Sequence, residues 1–305
     1  MQNGMDPIRH KQGRVAVLVS VGVNIILTIL QLIIGVVAHS QALVADAIHS
    51  MSDLLGDGVV LVANAHSHKA PDDNHHYGHL RFETAASVLL GVLLMGVGAG
   101  LLWAAFGRLQ NPADIPQVHP AALVVALFVI AGKESLFRYM RNVGERIRST
   151  MLIANAWHAR SDAASSLVVA LGIMANLAGF SVADSLAALI VGLMIARMGW
   201  KFFSRSFGDL LDKAVDSATQ DRIRQHLLDT PGVLGVHDLK TRKLGDMIWV
   251  EVDLEMDGSL SIAEGHEIAV RARARVIENE HVLDVMTHFD PVEADDPRLR
   301  APAAT

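Results

Sequence analysis

The sequence contains no cysteine. Disulfides, thiolate metal sites and cysteine nucleophiles are excluded together, so any bound metal must be held by His, Asp, Glu or a carbonyl oxygen. Basic residues are in deficit. Twenty-six Lys and Arg against 32 Asp and Glu give a net charge of −6, which offers nothing to a phosphate backbone and argues against a nucleic-acid partner. No cleavable signal peptide is expected. The first apolar run, Val15 to Ala38, exceeds the roughly 7–15 residues of a signal h-region, and no small-residue cleavage site clearly follows it. What the chain has in excess is apolar: 51% of its 305 residues are hydrophobic and the mean hydropathy is +0.34. A soluble core of this length needs less. It also has 15 His.

About 20 apolar residues are needed to cross a bilayer as a helix. Six runs qualify as candidates, at 14–38, 41–65, 83–107, 119–139, 151–178 and 182–208. The second and fifth carry several polar residues and are the weakest by hydropathy. Basic residues gather in the N-terminal arm (Arg9, Lys11, Arg14), after the second run (Lys69, Arg81), after the fourth (Arg138, Arg141, Arg146, Arg148) and after the sixth (Lys201, Arg205). The other connections carry almost none, Arg108 being the exception. The positive-inside rule then puts both termini in the cytoplasm.

From about Asp209 the composition becomes that of a soluble domain. Ser217 is positioned to cap a helix through Leu228, Pro231-Gly232 reads as a turn, and Val236–Arg242 and Met247–Met256 read as strands joined near Gly245-Asp246. In the second strand Ile248, Val250, Val252 and Leu254 alternate with Trp249, Glu251 and Asp253, the period of a half-buried strand. A helix over 261–278 and a strand over 283–289 complete an α-β-β-α-β, α+β domain. The expected organisation is a six-helix transmembrane bundle over 1–208, a cytoplasmic domain over 209–292 and a disordered tail over 293–305.

The weak second and fifth runs share a pattern. Ala45-Asp46-Ala47-Ile48-His49-Ser50-Met51-Ser52-Asp53 and Ala154-Asn155-Ala156-Trp157-His158-Ala159-Arg160-Ser161-Asp162 both read A-[D/N]-A-x-H-x-x-S-D. His and Asp at i and i+4 lie on one helix face, one turn apart. Two such helices face to face offer two imidazoles and two carboxylates, a set able to surround Zn²⁺ tetrahedrally at about 2.0–2.2 Å. Fe, Co and Cd also accept such ligands. An ionisable group near the bilayer centre costs about 2.5–3.5 kcal/mol on insertion scales, and a bound dication or a hydrated cavity offsets that cost. The plainer alternative is hydrogen-bonded packing between helices, to which a duplicated pair is less suited than a lone His. Asp46 and Asp57 lie on roughly the same face as Asp53 and either tune the site or relay protons, or are simply hydrated. With the N-terminus inside, the two motifs fall on antiparallel helices, as in an inverted three-plus-three repeat with its site at the midplane.

Together with Pro71-Asp72-Asp73-Asn74-His75-His76-Tyr77-Gly78-His79 after the second run and Gly235-Val236-His237-Asp238-Leu239 in the soluble domain, these motifs make the chain resemble the cation diffusion facilitator family over nearly its whole length. The resemblance implies a homodimeric metal/proton antiporter of a bacterial inner membrane, with a metallochaperone-like cytoplasmic domain and no cofactor beyond the divalent metal. It implies a transport site of His49, Asp53, His158 and Asp162. Bacterial relatives active on zinc and ferrous iron often carry Asp where this chain has His49, and the two-His, two-Asp set is the one associated with zinc. A His-rich loop between the fourth and fifth helices, seen in some eukaryotic zinc members, is absent. The resemblance further implies a loop site at Asp72, His75 and His79, whose spacing suits zinc and equally suits a solvated acidic/His surface. It implies a cytoplasmic site at His237, His266, His288 and Asp290, with Asp253 standing where close relatives have His. Arg81 and Asp212 match a charge pair linking the third helix to the segment after the sixth; if exposed, such a pair contributes about 0–1 kcal/mol.

Metal binding needs neutral imidazole and ionised carboxylate, so protons and Zn²⁺ compete for the same side chains. Enzymatic activity is not expected. An intramembrane metallohydrolase needs an open water position and usually a general base, as in H-E-x-x-H, and no such motif occurs. A non-transporting metal sensor would leave the membrane motif dispensable, and a passive channel would be blocked by a closed four-ligand site.

Overall fold

The computed structural model describes residues 7–67, 69–111 and 115–293. The expected tail beyond 293 lies outside the described residues. The elements are α1 (Pro7–Val37), α2 (Gln41–Ser67), α3 (Arg81–Gln110), α4 (Ala121–Ile147), α5 (Thr150–Leu177), α6 (Ala183–Leu210), α7 (Ser217–Leu228), β1 (Gly235–Leu244), β2 (Met247–Asp257), α8 (Ile262–Asn279) and β3 (Val282–Val292). Every apolar run becomes a helix. α4 continues past 139 because Arg138–Glu134 and Arg141–Glu145, at 2.9 and 2.8 Å, are i, i+4 pairs that support a polar extension. By length and composition alone, α1 from Gln12, α3 and α6 suffice to cross a membrane. α2 and α5 fall short, as their polar motifs predict, and so does α4, which carries Lys133, Glu134 and Arg138.

The chain divides into two compact units, Met1–Val59 with Leu90–Phe202, and Val60–Leu89 with Phe203–Thr305. In the first, the outer surface of α1 is apolar and open, with Leu18, Ile26 and Val37 each at least 65% exposed. Such a surface suits acyl chains rather than water. Inside, helices approach closely where glycine permits. A Cβ on Gly98 of α3 would lie 2.7 Å from the Ala196 backbone of α6, and one on Gly199 of α6 would lie 2.7 Å from the Met95 backbone. Small residues at such crossings let backbones pack where lipid supplies no hydrophobic drive. Across the start of the bundle, Asp184 of α6 accepts from Ser40 Oγ at 2.6 Å and from the Gln41 amide at 2.7 Å, so it caps α2 from another helix. α4 and α5 form a hairpin: Arg148 adopts a left-handed conformation (φ 54°) and the Ser149 side chain accepts from the Leu152 amide, capping α5.

In the second unit, β1 and β2 pair antiparallel, β2 and β3 pair parallel, and the order is β1-β2-β3. The expected alternation holds: Ile248, Val250, Val252, Leu254 and Met256 are buried with Ile223, Leu227, Ile268, Ala272 and Val276. The opposite face of β2, with Trp249, Glu251, Asp253 and Glu255, is only half-buried. Thr230 to Val233 form a turn closed by the Val233 amide on the Thr230 carbonyl at 3.1 Å, with Gly232 at φ 101°, which a side chain would strain. The cap of α7 is Asp216 rather than Ser217: its carboxylate accepts from the Thr219 amide at 3.0 Å, and that bond, with one from the Thr219 side chain, holds the Asp216 carboxyl below the ordinary range. Ser261 and Glu264 form a reciprocal capping box at the start of α8.

Replacing Gly98 or Gly199 with Leu forces α3 and α6 apart. Each substitution is expected to destabilise the chain by about 1–3 kcal/mol or more and to lower the thermal midpoint of the detergent-solubilised protein. Gly96→Leu, at a position where a Cβ would meet nothing within 4 Å, should leave the midpoint unchanged.

Candidate metal centre

The i, i+4 spacing does its work on both helices. On α2, His49 Nδ1 lies 4.0 Å from Asp53 Oδ2; on α5, His158 Nε2 lies 3.8 Å from Asp162 Oδ2. Between the helices, ligand atoms of His49, Asp53 and Asp162 lie within 4.8 Å of one another. A modest contraction brings them to the about 2.0–2.2 Å ion distances of a zinc site. His49 is buried, and its Nδ1 has no hydrogen-bond partner. An unpaired buried nitrogen is costly unless something else satisfies it, and a cation is what two facing carboxylates invite. His158 stands apart from the other three. It lies 3.8 Å from Asp162 but outside the group of three, and its side chain is 64% exposed.

Beside this group lies a polar network that sequence spacing did not reveal. Asp46 accepts from Gln31 Nε2 at 2.6 Å, Ser166 Oγ at 2.7 Å and Ser165 Oγ at 3.4 Å. Both of its oxygens are thereby hydrogen-bonded, so it is a buried, partnered carboxylate rather than a hydrated one. Asp57 is exposed and joins neither an ion pair nor a ligand group among the described residues. Lys133 of α4 is buried, and its ammonium donates to Ser166 Oγ at 3.0 Å, Ser50 Oγ at 3.2 Å and the Asp162 carbonyl at 3.4 Å. An ionisable residue inside a candidate span was itself the signal that could have singled it out.

In the connection between α2 and α3, Asp72, His75 and His79 form a second group with ligand atoms within 4.8 Å. His75 Nδ1 and His79 Nε2 lie 3.2 and 3.4 Å from the Asp72 carboxylate. Desolvation works against ionisation of Asp72, but it is outweighed by bonds from the Asn74 and His75 amides and the His75 ring, which hold the carboxyl below its ordinary range and ready as an anionic ligand. His79 is buried with an unpartnered Nδ1. The same connection touches the open sheet face: Tyr77 packs edge-on against Trp249 at 5.6 Å, and Arg242 lies near both rings. Arg81 donates to Asp212, and Arg242 reaches Asp212 at 3.6 Å and Glu251 at 3.3 Å.

The cytoplasmic set is partly gathered. His237 on β1, Asp253 on β2 and His288 on β3 occupy adjoining register positions. His237, Asp238 and Asp253 form a group within 4.8 Å, while Asp290 lies 3.0 Å from His237 Nε2 and 3.5 Å from His288 Nε2. Asp238 and Glu255, the latter 3.8 Å from His237, are additional carboxylates that the motif did not indicate. A bulge between His237 and Lys240, with Asp238 at φ 48°, turns the strand at this point. His266 is exposed on α8 and joins no ligand group among the described residues.

Residues 17–211 match the family described as "Cation efflux transmembrane domain", and residues 215–292 the family "Cation efflux protein, cytoplasmic domain". Metal tolerance protein C1 of Arabidopsis thaliana is 33% identical over 87% of this chain, which spans 59% of that longer relative. The uncharacterized transporter MJ0449 of Methanocaldococcus jannaschii is 33% identical, with 88% of this chain and 95% of the relative covered. The manganese efflux system protein MneS of Bacillus subtilis is 32% identical, with 93% and 97% covered. With a helical transmembrane domain leading into an α+β cytoplasmic domain, the chain belongs to the cation efflux, or cation diffusion facilitator, family of transporters.

Proposed function

We propose that this protein exports a divalent transition metal, zinc foremost, from a bacterial cytoplasm across the inner membrane in exchange for protons. The observation that carries this reading is the convergence of His49, Asp53 and Asp162 from α2 and α5, with the unpaired His49 Nδ1 among them. The metal is the cargo. In the cytoplasm-facing state it binds as the imidazoles and carboxylates give up their protons, with His158 closing the shell; on the far side protons displace it. Six spans with both termini inside accord with the helices and with the basic connections. Zinc is favoured by two nitrogen and two carboxylate ligands in a tetrahedral set; Fe, Co and Cd fit the same atoms less selectively, and the name of MneS adds manganese to the metals to compare. A second reading, a non-transporting membrane metal sensor, draws on the loop and cytoplasmic ligand groups. In the transport reading those groups regulate: the chain acts as a homodimer, and metal at His237, His266, His288, Asp253 and Asp290 draws two cytoplasmic domains together and biases the helices.

Three outcomes are expected. In proteoliposomes, zinc uptake should accelerate under an imposed pH gradient and exceed that of Fe, Co, Cd and Mn; flux indifferent to the gradient would reject proton exchange. Asp162→Ala should reduce zinc flux to the level of empty liposomes while the purified variant still binds zinc at its loop and cytoplasmic groups, and normal flux would refute the ligand assignment. Spin labels on the two cytoplasmic domains should move closer when zinc is added, and a distance that ignores zinc would remove the regulatory role.

A further inference from the structure

Lys133 is 3% exposed within the membrane unit. An ammonium has three N–H donors and no acceptor, and here it meets three oxygens: Ser50 Oγ on α2, Ser166 Oγ on α5 and the Asp162 carbonyl on α5. All three are uncharged. No carboxylate lies within 4.0 Å of this nitrogen among the described residues. One link to negative charge runs through a hydroxyl: Ser166 accepts from Lys133 and donates onward to Asp46 at 2.7 Å, and Gln31 holds Asp46 from the other side. The ammonium is therefore pinned by a full complement of neutral acceptors, one hydroxyl away from the Asp46 carboxylate. It contacts the main chain of Asp162, whose carboxylate belongs to the ligand group. A fixed positive charge beside a cation site is an unexpected economy. Two carboxylates and an imidazole in a low-dielectric interior hold a dication tightly, and a transporter must also let go.

We propose that Lys133 is a resident cation whose field weakens metal binding at the transport site and thereby permits release, with Asp46, through Ser166, setting how much of that field the metal feels. Lys133 is a positioning and tuning residue in this scheme, not a ligand. The proposal rests on the transport reading above. It makes two opposite predictions. Removing the charge should tighten binding; removing the Asp46 carboxylate charge should loosen it.

The test is zinc flux against zinc concentration in proteoliposomes, paired with chelator competition on the purified full-length protein, for Lys133→Met and Asp46→Asn. Lys133→Met is expected to lower KM and the zinc Kd on the order of tenfold and to lower the maximal rate, because release slows. Asp46→Asn is expected to raise both KM and Kd. A purely structural role would weaken binding in both variants, and Lys133→Met with unchanged or higher KM and Kd overturns the proposal. If Lys133→Met does not yield folded protein, Lys133→Gln, which keeps amide donors without the charge, decides: lower KM and Kd support the proposal, and unchanged or higher values overturn it. Wild-type protein without saturable zinc flux, or Asp162→Ala transporting normally, would instead overturn the transport reading itself.

Discussion

Charged side chains in a low-dielectric layer must find partners, and the membrane unit of this protein is arranged around that requirement. Lipid offers no hydrogen bonds, so each intramembrane carboxylate or ammonium has to be satisfied from within. Asp184 is satisfied by capping α2, Asp46 by Gln31 and two serines, and Lys133 by three oxygens drawn from two helices. Asp53 and Asp162 are left facing each other with His49 between the same helices and its Nδ1 unpaired. This group, unlike the paired ionisable groups around it, is the one proposed to receive a cation.

That arrangement depends on how closely the helices pass. Gly98 and Gly199 let α3 and α6 meet backbone to backbone, Gly172 of α5 admits Ala187 of α6, and Gly144 of α4 admits Ile153 of α5. The apolar residues that would fill these crossings in a soluble protein instead cover the outside. The convergence of His49, Asp53 and Asp162 thus sits in a bundle whose other helices pack through small residues.

The second unit meets a different constraint. Water satisfies its polar groups, so clustered His and carboxylates cost little, and their positions follow from sheet register. One sheet face is sealed by α7 and α8, and the other carries His237, Asp253 and the Trp249–Arg242 surface that receives Tyr77. The loop group of Asp72, His75 and His79 is only a few residues from that contact, and Arg81 and Arg242 converge on Asp212. The loop group and this sheet face are joined through a short stretch of chain.

The sequence by itself determined what depends on local periodicity. Apolar runs of bilayer length became helices, alternation from Ile248 to Leu254 became a half-buried strand, and the i, i+4 motifs put His and Asp on common faces of α2 and α5. It also marked Asp72, His75 and His79, which are close enough in the chain for a turn to gather them. Only the tertiary structure decided what depends on partners far away in the chain. Asp46 and Asp57 share a helical face by spacing, yet one is buried against Gln31 and Ser166 and the other is exposed. Lys133 acquires its place from α2 and α5, His158 pairs with Asp162 but lies outside the group of three, and His266 does not join His237. Spacing fixes direction along one element, whereas the neighbour a side chain meets is set by the crossing of another.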